Sequence, residues 1–221
     1  MFASNKFKLI IGVFFTYVFF FSSYLNAQQH KKNHYLSNIC DSYFKEYEVS
    51  MGMPPYLLKA ISLKETGRWD NSRKESFTWP WTVTSGKWSH YFKTKENAIR
   101  AVKRLQLRNI KNIDVGCMQI NLKYHPGAFK SLEEAFDPKS NILYAAQFLT
   151  KLYKNEKSWH RSIEKYHSSN PRYSHKYRNK VNKIWRTVRS REAHKKRNAV
   201  KKAYMERKAK YRHSIKNNGK S

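Results

Sequence analysis

One glutamate stands at the end of an apolar helical run, where a carboxyl group could do acid–base chemistry. The run starts at Pro54 and Pro55 and ends at Glu65, and Gly67 follows two residues later. Proline near the start and glycine after the end are typical helix boundaries, so Glu65 is expected in the last helical turn, half-buried. A carboxyl group so placed can transfer protons. The competing interpretation is a solvated charge near a helix end, because surface glutamates are common.

A second polar group lies in residues 113–121, a β-like apolar stretch that Gly116 interrupts. It carries the amide side chains of Gln119 and Asn121, which both donate and accept hydrogen bonds. Asn121 could equally be a loop-capping side chain.

Aromatic residues dominate residues 77–91, where they alternate with threonine and serine. The alternation around Trp79 and Trp81, with a turn signal at Ser85 and Gly86, predicts a short β-hairpin. Its rings either form the core of a small lobe or stack on the apolar faces of sugar rings.

The elements that must position these residues are mostly helices. Apolar residues recur at helical spacing, a capping box begins at Ser131, and Asp137 with Pro138 marks another helix start. The predicted helices cover residues 38–50, 54–65, 95–108, 138–153 and 159–166, and a basic helix runs from 173 to about 188. The expected fold class is mainly α: one helical domain, residues 38–188, with a small aromatic β-hairpin.

The first residues are typical of an export signal. Lys6 and Lys8 precede an apolar run over residues 9–21 and a small, polar segment ending at Ala27. The run is about 13 residues, shorter than the roughly 20 that span a bilayer. We therefore predict a signal peptide over residues 1–27, with an uncleaved anchor as the alternative, and a flexible lead-in over residues 28–37. Either way the body is exported, to the periplasm or cell envelope.

The formal net charge is +30, and it is concentrated towards the end of the chain. Residues 186–221 hold 14 Lys and Arg against Glu192 and Glu206. Such charge would indicate nucleic acid in a cytosolic protein, but outside the cytoplasm the nearest polyanions are the cell wall and lipid head groups. We expect residues 189–221 to be a basic tail, helical or disordered, that binds an anionic wall or membrane surface, and we expect no specific nucleic acid partner.

Two cysteines, Cys40 and Cys117, remain after the signal segment. In an oxidising compartment an even pair predicts one disulfide, although two buried free thiols fit the spacing equally well. A metal site is not expected, because there is no Cys-x-x-Cys and His30 and His34 lack an obvious third ligand.

Four short blocks, in this order, resemble the lytic transglycosylases of the goose-type lysozyme superfamily, which carry the soluble-lytic-transglycosylase domain. The matching blocks are Glu65-Thr66-Gly67, Gly116-Cys117-Met118-Gln119, Phe136-Asp137-Pro138 with Asn141-Ile142, and Lys165-Tyr166-His167. Thr66 stands where the family has serine, and Cys117 where it has leucine. In the last block only Tyr166 is kept.

The resemblance implies an α+β lysozyme-like fold and cleavage of the β-1,4 bond between N-acetylmuramic acid and N-acetylglucosamine in peptidoglycan. It implies that Glu65 acts alone as acid and then base, without a cofactor, while the C6 hydroxyl of the muramic acid closes a 1,6-anhydro ring. An apolar wall would raise the pKa of Glu65, and its candidate sources are Trp69, Trp79, Trp81, Met118 and Tyr166. The predicted substrate-binding residues are Gln119, Tyr166, Met118, Asn121, Thr66 and Trp81.

A second carboxylate is not required by that chemistry. Asp70, Glu75 and Asp114 are the candidates, and each is interpreted as a surface or capping residue. Two alternatives stay open: a muramidase-type hydrolase of the same bond, and a non-catalytic peptidoglycan-binding or assembly protein.

Overall fold

The computed structural model describes residues 38–218, which form a mainly helical molecule with two small antiparallel sheets. The predicted signal peptide and lead-in, residues 1–37, lie outside the described part. The described helices are α1 (38–50), α2 (Leu57–Thr66), α3 (Lys95–Leu107), α4 (Leu132–Ala135), α5 (Pro138–Glu156), α6 (Trp159–His167) and α7 (Pro171–Asn218). The mainly α fold class is therefore confirmed for this part of the chain.

The strands form one two-stranded and one four-stranded sheet. They are β1 (Arg68–Asp70), β2 (Glu75–Phe77), β3 (Thr82–Ser85), β4 (Trp88–Tyr91), β5 (Asp114–Val115) and β6 (Ile120–Asn121). β1 pairs with β2, and the larger sheet has the order β4-β3-β5-β6. The predicted hairpin is present as β3 and β4, in a register that pairs Thr84 with Ser89. Trp79 and Trp81, around which its first strand was predicted, precede β3. The β1–β2 hairpin and the pairing of β3 with β5 were not predicted.

Two buried clusters of apolar side chains hold the fold together. The larger joins α1, α2, α5, α6 and the start of α7, and it includes Leu57, Leu58 and Ile61 of α2, none of which is exposed. The smaller lies between the four-stranded sheet, α3 and α4. Polar caps start the later helices as predicted: Ser131 accepts from the backbone N–H of Glu134, and Asp137 from that of Ser140.

Helix α2 has no side-chain cap of its own, because its N-cap residue Tyr56 accepts no bond and lies in the left-handed region at φ 68°. Glu48 of α1 supplies the cap: its carboxylate accepts from the backbone N–H of Tyr56 at 2.7 Å and of Leu58 at 2.8 Å. Burial raises the pKa of Glu48 to about 7, against the lowering effect of these backbone donors. A buried carboxyl group on α1 therefore holds the helix that carries Glu65.

We expect Glu48 to make the free energy of unfolding depend on pH between about 4.5 and 7. In that window the unfolded chain loses this proton while the folded protein keeps it, so stability falls as pH rises, by up to about 3 kcal/mol. Glu48→Gln removes this contribution. Urea unfolding of the natural protein and of Glu48→Gln, at the two ends of this pH window, measures the contribution. The other titrating groups cancel when the two free energies of unfolding are subtracted. A difference that stays constant with pH would contradict the assignment.

Helix α7 continues far beyond the packed domain. Tyr177, Val181 and Trp185 are buried, as their four-residue spacing predicts, and the helix then extends to Asn218. The tail is thus helical up to that residue, one of the two predicted alternatives. None of the helices within residues 38–218 is long and apolar enough to cross a membrane.

Candidate active site

Glu65 lies in the last turn of α2 and lines a cleft of about 790 Å³. One wall is the four-stranded sheet, through Thr84, Ser89, Asp114 and Asn121. The opposite wall comes from α5, α6 and the residues that follow α6, through Phe148, Tyr166 and Ser168 among others. Gly67 ends the helix directly after the site, and a Cβ there would overlap the backbone carbonyl of Leu63. The helix end thus places a carboxyl group at the surface of a cleft large enough for sugar rings.

The surroundings of Glu65 favour its protonated form. Burial is the largest effect and raises the pKa of Glu65, and the charge of Asp114 raises it further. Tyr177, acting as a hydrogen-bond donor, and the charge of Lys64 lower this pKa. The buried hydroxyl of Tyr177 makes no hydrogen bond of good geometry to any described residue. Its interaction with Glu65 is therefore long or bent.

Asp114 is the second carboxyl group of the cleft, and it was interpreted from sequence as a surface or capping residue. That interpretation is wrong. Asp114 lies on β5 and lines the cleft. Burial raises its pKa, and the hydrogen bond from Asn121 offsets only part of that increase. Of the other candidates, Asp70 accepts from Ser72 and Arg73 in the β1–β2 turn, and Glu75 pairs with Arg191 on α7. Neither lines the cleft of Glu65.

Asn121 holds Asp114 in place. Its amide N–H groups donate to Asp114 at 2.9 Å and to Asn112 at 2.7 Å, while its oxygen accepts from the backbone N–H of Lys123 and Tyr124. Asn121 lines the cleft, but both ends of its amide are already bonded. The loop-capping interpretation therefore describes this residue, and we withdraw the prediction of a direct substrate contact through its amide.

The turn over residues 116–119, between β5 and β6, is the meeting point of the helices around the site. Ser62 and Thr66 of α2 donate to the carbonyl of Cys117, at 2.7 Å and 3.3 Å, and Tyr166 of α6 donates to the carbonyl of Met118 at 2.9 Å. A disulfide joins Cys117 to Cys40 of α1. The paired state was one of the two predicted alternatives for these cysteines. Three helices, α1, α2 and α6, thus fix one turn.

Asn141 of α5 completes this support from inside. It is fully buried, accepts from the backbone N–H of Met118 at 2.9 Å, and donates to the carbonyls of Val115 and Ala135. Gly116 has φ +81°, and a Cβ there would overlap the amide of Asn141. The glycine in this block is therefore required both by the left-handed backbone and by the close approach of an asparagine.

Gln119 is held with its amide nitrogen turned inward. Nε2 donates to the carbonyls of Thr82 and Gly116, both at 3.1 Å. Two carbonyl neighbours require the NH₂ end of the amide, so the orientation follows from the network. The amide oxygen makes no bond to any described residue, and Gln119 lines the cleft. It is therefore a pre-oriented acceptor in the cleft that Glu65 also lines.

The structure places the other predicted substrate-binding residues differently. Tyr166 lines the cleft, but its hydroxyl donates to the Met118 carbonyl rather than to Glu65. Burial raises the pKa of Tyr166, and the charge of Glu65 raises it further. Thr66 and Met118 are fully buried, so they support the turn and cannot offer side chains to a ligand. We therefore revise their predicted role from substrate contact to positioning.

The tryptophans do not line the cleft. Trp79 is buried and donates to the carbonyl of Phe92, Trp81 packs against the smaller cluster, and Trp69 is exposed on β1. The core interpretation of the aromatic hairpin is therefore correct for Trp79 and Trp81. Of the five predicted wall residues, Tyr166 lines the cleft, and the three tryptophans and Met118 do not. Trp88 is exposed, but it lines a separate groove with α3, on the other face of the β3–β4 hairpin. The alternating sides of a strand explain this: Thr84 and Ser89 face the cleft, and Trp88 faces away.

Two histidines that line the cleft were not predicted as site residues. His125 follows β6, shares a bond of 2.9 Å with the Tyr144 hydroxyl, and packs against Phe148, and burial lowers its pKa. His167, which stands in the last sequence block, stacks on Tyr177 at 4.3 Å between ring centroids. Both line the cleft.

The chain matches no family model, no curated protein and no solved structure. Between residues 38 and 218, no group of His, Cys, Asp and Glu side chains is arranged to hold a metal ion.

Proposed function

We propose that this protein is an exported peptidoglycan lytic transglycosylase with Glu65 as its acid and base. The observation that carries the proposal is a carboxyl group of raised pKa, positioned by a helix end in an open cleft of about 790 Å³. A raised pKa makes a carboxyl group better suited to protonate a glycosidic oxygen. The four ordered sequence blocks support the choice of peptidoglycan as substrate.

The proposed reaction balances with one carboxyl group. Glu65 gives its proton to the glycosidic oxygen, and the bond from the muramic acid C1 to that oxygen breaks. The carboxylate of Glu65 then takes the proton of the C6 hydroxyl of the same sugar, whose oxygen bonds to C1. Glu65 ends protonated, no water is consumed, and the product carries a 1,6-anhydro end. An intramolecular nucleophile makes this feasible without a second catalytic group.

The same geometry gives roles to the residues around Glu65. Gln119 offers its amide oxygen to an N–H group of the substrate, such as that of an N-acetyl group. The ring of Tyr166 also lines the cleft. Its hydroxyl donates to the carbonyl of Met118 and can still accept a hydrogen bond.

Asp114 favours a second candidate, a muramidase-type hydrolase of the same bond. A second carboxylate in the cleft could activate a water against C1, as inverting glycosidases do. Mass spectrometry of digested peptidoglycan separates the two: anhydro ends support the transglycosylase, and reducing ends with added water identify a hydrolase. Under the transglycosylase proposal, Asp114→Asn keeps most of the turnover. A loss as large as that of Glu65→Gln would assign Asp114 a catalytic role.

The pH profile should shift in opposite directions in two variants. Activity requires protonated Glu65 in the free enzyme, so kcat/KM falls as pH rises through its raised pKa. Tyr177→Phe removes a donor that lowers this pKa and moves the alkaline limb to higher pH. Asp114→Asn removes a charge that raises it and moves the limb to lower pH. Shifts of the same sign, or no shift in either variant, would exclude Glu65 as the group that sets the limb.

The proposed partners are peptidoglycan strands at the cleft and an anionic wall or membrane surface at the basic tail. Export to the periplasm or cell envelope is part of the proposal and rests on the signal peptide predicted over residues 1–27.

A further inference from the structure

The distal half of α7 is a long helix that leaves the domain. Ion pairs of Arg191 and Lys195 with Glu75, at 3.0 Å and 3.7 Å, join it to the domain near its start. From Arg189 to Asn218 the helix has 30 residues, or about 45 Å at 1.5 Å per residue. Such a projection has a surface of its own.

That surface carries an apolar stripe, which we define as Val200, Tyr204, Tyr211 and Ile215. Their exposed fractions are 69%, 55%, 67% and 55%. The successive spacings of four, seven and four residues place all of them within about 60° of arc on an α-helix. By the same geometry the stripe points away from the side through which Val181, Trp185 and Val188 pack on the domain. The domain therefore leaves the stripe uncovered.

Positive charge borders the stripe on both sides. Lys196 and Arg207 lie along one edge, and Arg197 and Lys208 along the other. Residues 189–221 together hold 13 Lys and Arg against Glu192 and Glu206. An apolar stripe between two rows of long cationic side chains is the pattern of a helix that lies in a membrane interface, with its charges at the head groups.

We propose that the distal half of α7 binds the surface of an anionic lipid bilayer, with the apolar stripe entering the interface and the basic residues on the lipid phosphates. A second copy of the chain fits less well, because two such helices side by side would bring like charges together. A purely ionic polymer, such as the anionic wall, would satisfy the charges but leave the stripe in water. This inference selects one of the two anionic surfaces proposed for the tail and does not depend on catalysis at Glu65.

The test uses the full chain and two variants that carry the same number of substitutions and the same net charge. In the stripe variant Val200, Tyr204, Tyr211 and Ile215 are changed to Ser. In the matched control Ala199, Ala203, Met205 and Ala209, which are exposed on other sides of the same helix, are changed to Ser. The control loses more helix propensity than the stripe variant, because Ala and Met are better helix formers than Ser while Val, Tyr and Ile are similar to it. Weaker binding by the stripe variant therefore reports the stripe and not a loss of helix.

Vesicle sedimentation measures binding to phosphatidylcholine alone and with about 30% phosphatidylglycerol. We expect the natural chain and the control to bind only the anionic vesicles, and the stripe variant to bind them about tenfold or more weakly. The proposal would be overturned if the stripe variant bound anionic vesicles as well as the control does. It would also be overturned if all three proteins bound purified peptidoglycan and anionic vesicles equally. A third contradicting outcome is a concentration-dependent dimer, measured by sedimentation velocity, that the natural chain and the control form and the stripe variant does not. The stripe would then bind a second copy of the chain. Turnover of soluble glycan strands reports the cleft separately and should be equal in all three.

Discussion

Replacing Glu65 with glutamine is expected to lower turnover of purified glycan strands by about 10²- to 10⁴-fold, the range that general acid–base catalysis supplies. Glutamine keeps the shape of the side chain at the end of α2 but cannot exchange a proton with the glycosidic oxygen. Initial rates of release of soluble muropeptides measure the loss. Full activity in Glu65→Gln would remove Glu65 from its proposed role and favour a non-catalytic protein.

The loss in Glu65→Gln should come without a loss of stability. The raised pKa of Glu65 means that the folded protein disfavours its charged form, so a neutral amide is tolerated or stabilising above the ordinary pKa of a glutamate. A matched control is Glu46→Gln, a carboxyl group on an exposed face of α1. We expect Glu46→Gln to keep full activity. A lower melting temperature only in Glu65→Gln would indicate that its inactivity reflects unfolding.

The local part of this fold could be read from the sequence because its signals lie within one element. The start of α5 was predicted from Asp137 and Pro138, and its buried face from the spacing of Ile142, Ala145 and Leu149, all fully buried. The start of α2 was placed at Pro54 rather than Leu57 because its cap is Glu48, on another helix. Periodicity cannot reveal a cap that comes from outside the helix.

The site was predictable only in part, because the sequence does not show which atoms are already bonded. Glu65 and Gln119 were predicted, and both line the cleft. Asp114 reaches the same cleft through the pairing of β5 with β3 and β6, a long-range arrangement that two-residue strands hardly encode. Tyr166 was predicted to bind substrate, yet its hydroxyl donates to the backbone carbonyl of Met118.

The disulfide between Cys40 and Cys117 should have the largest effect on stability of any single feature of the fold. It closes a loop with a sequence separation of 77, which on chain-entropy grounds corresponds to about 4 kcal/mol. That is a large part of the total for a domain of this size, typically about 5–15 kcal/mol. We expect the double variant Cys40→Ala with Cys117→Ala to unfold at markedly lower urea concentration than the oxidised protein.

The loss should also reach the site, because Cys117 lies in the turn that presents Gln119. Reduced natural protein is the matched control for the double variant, since both lack the covalent link while the reduced protein keeps both sulfur atoms. Similar unfolding midpoints for these two, both well below that of the oxidised protein, would assign the stability to the link itself. If reduction left the midpoint unchanged, the bonds of Ser62, Tyr166 and Asn141 to the turn would be sufficient without it. Catalysis would then be expected to survive in a reducing compartment as well.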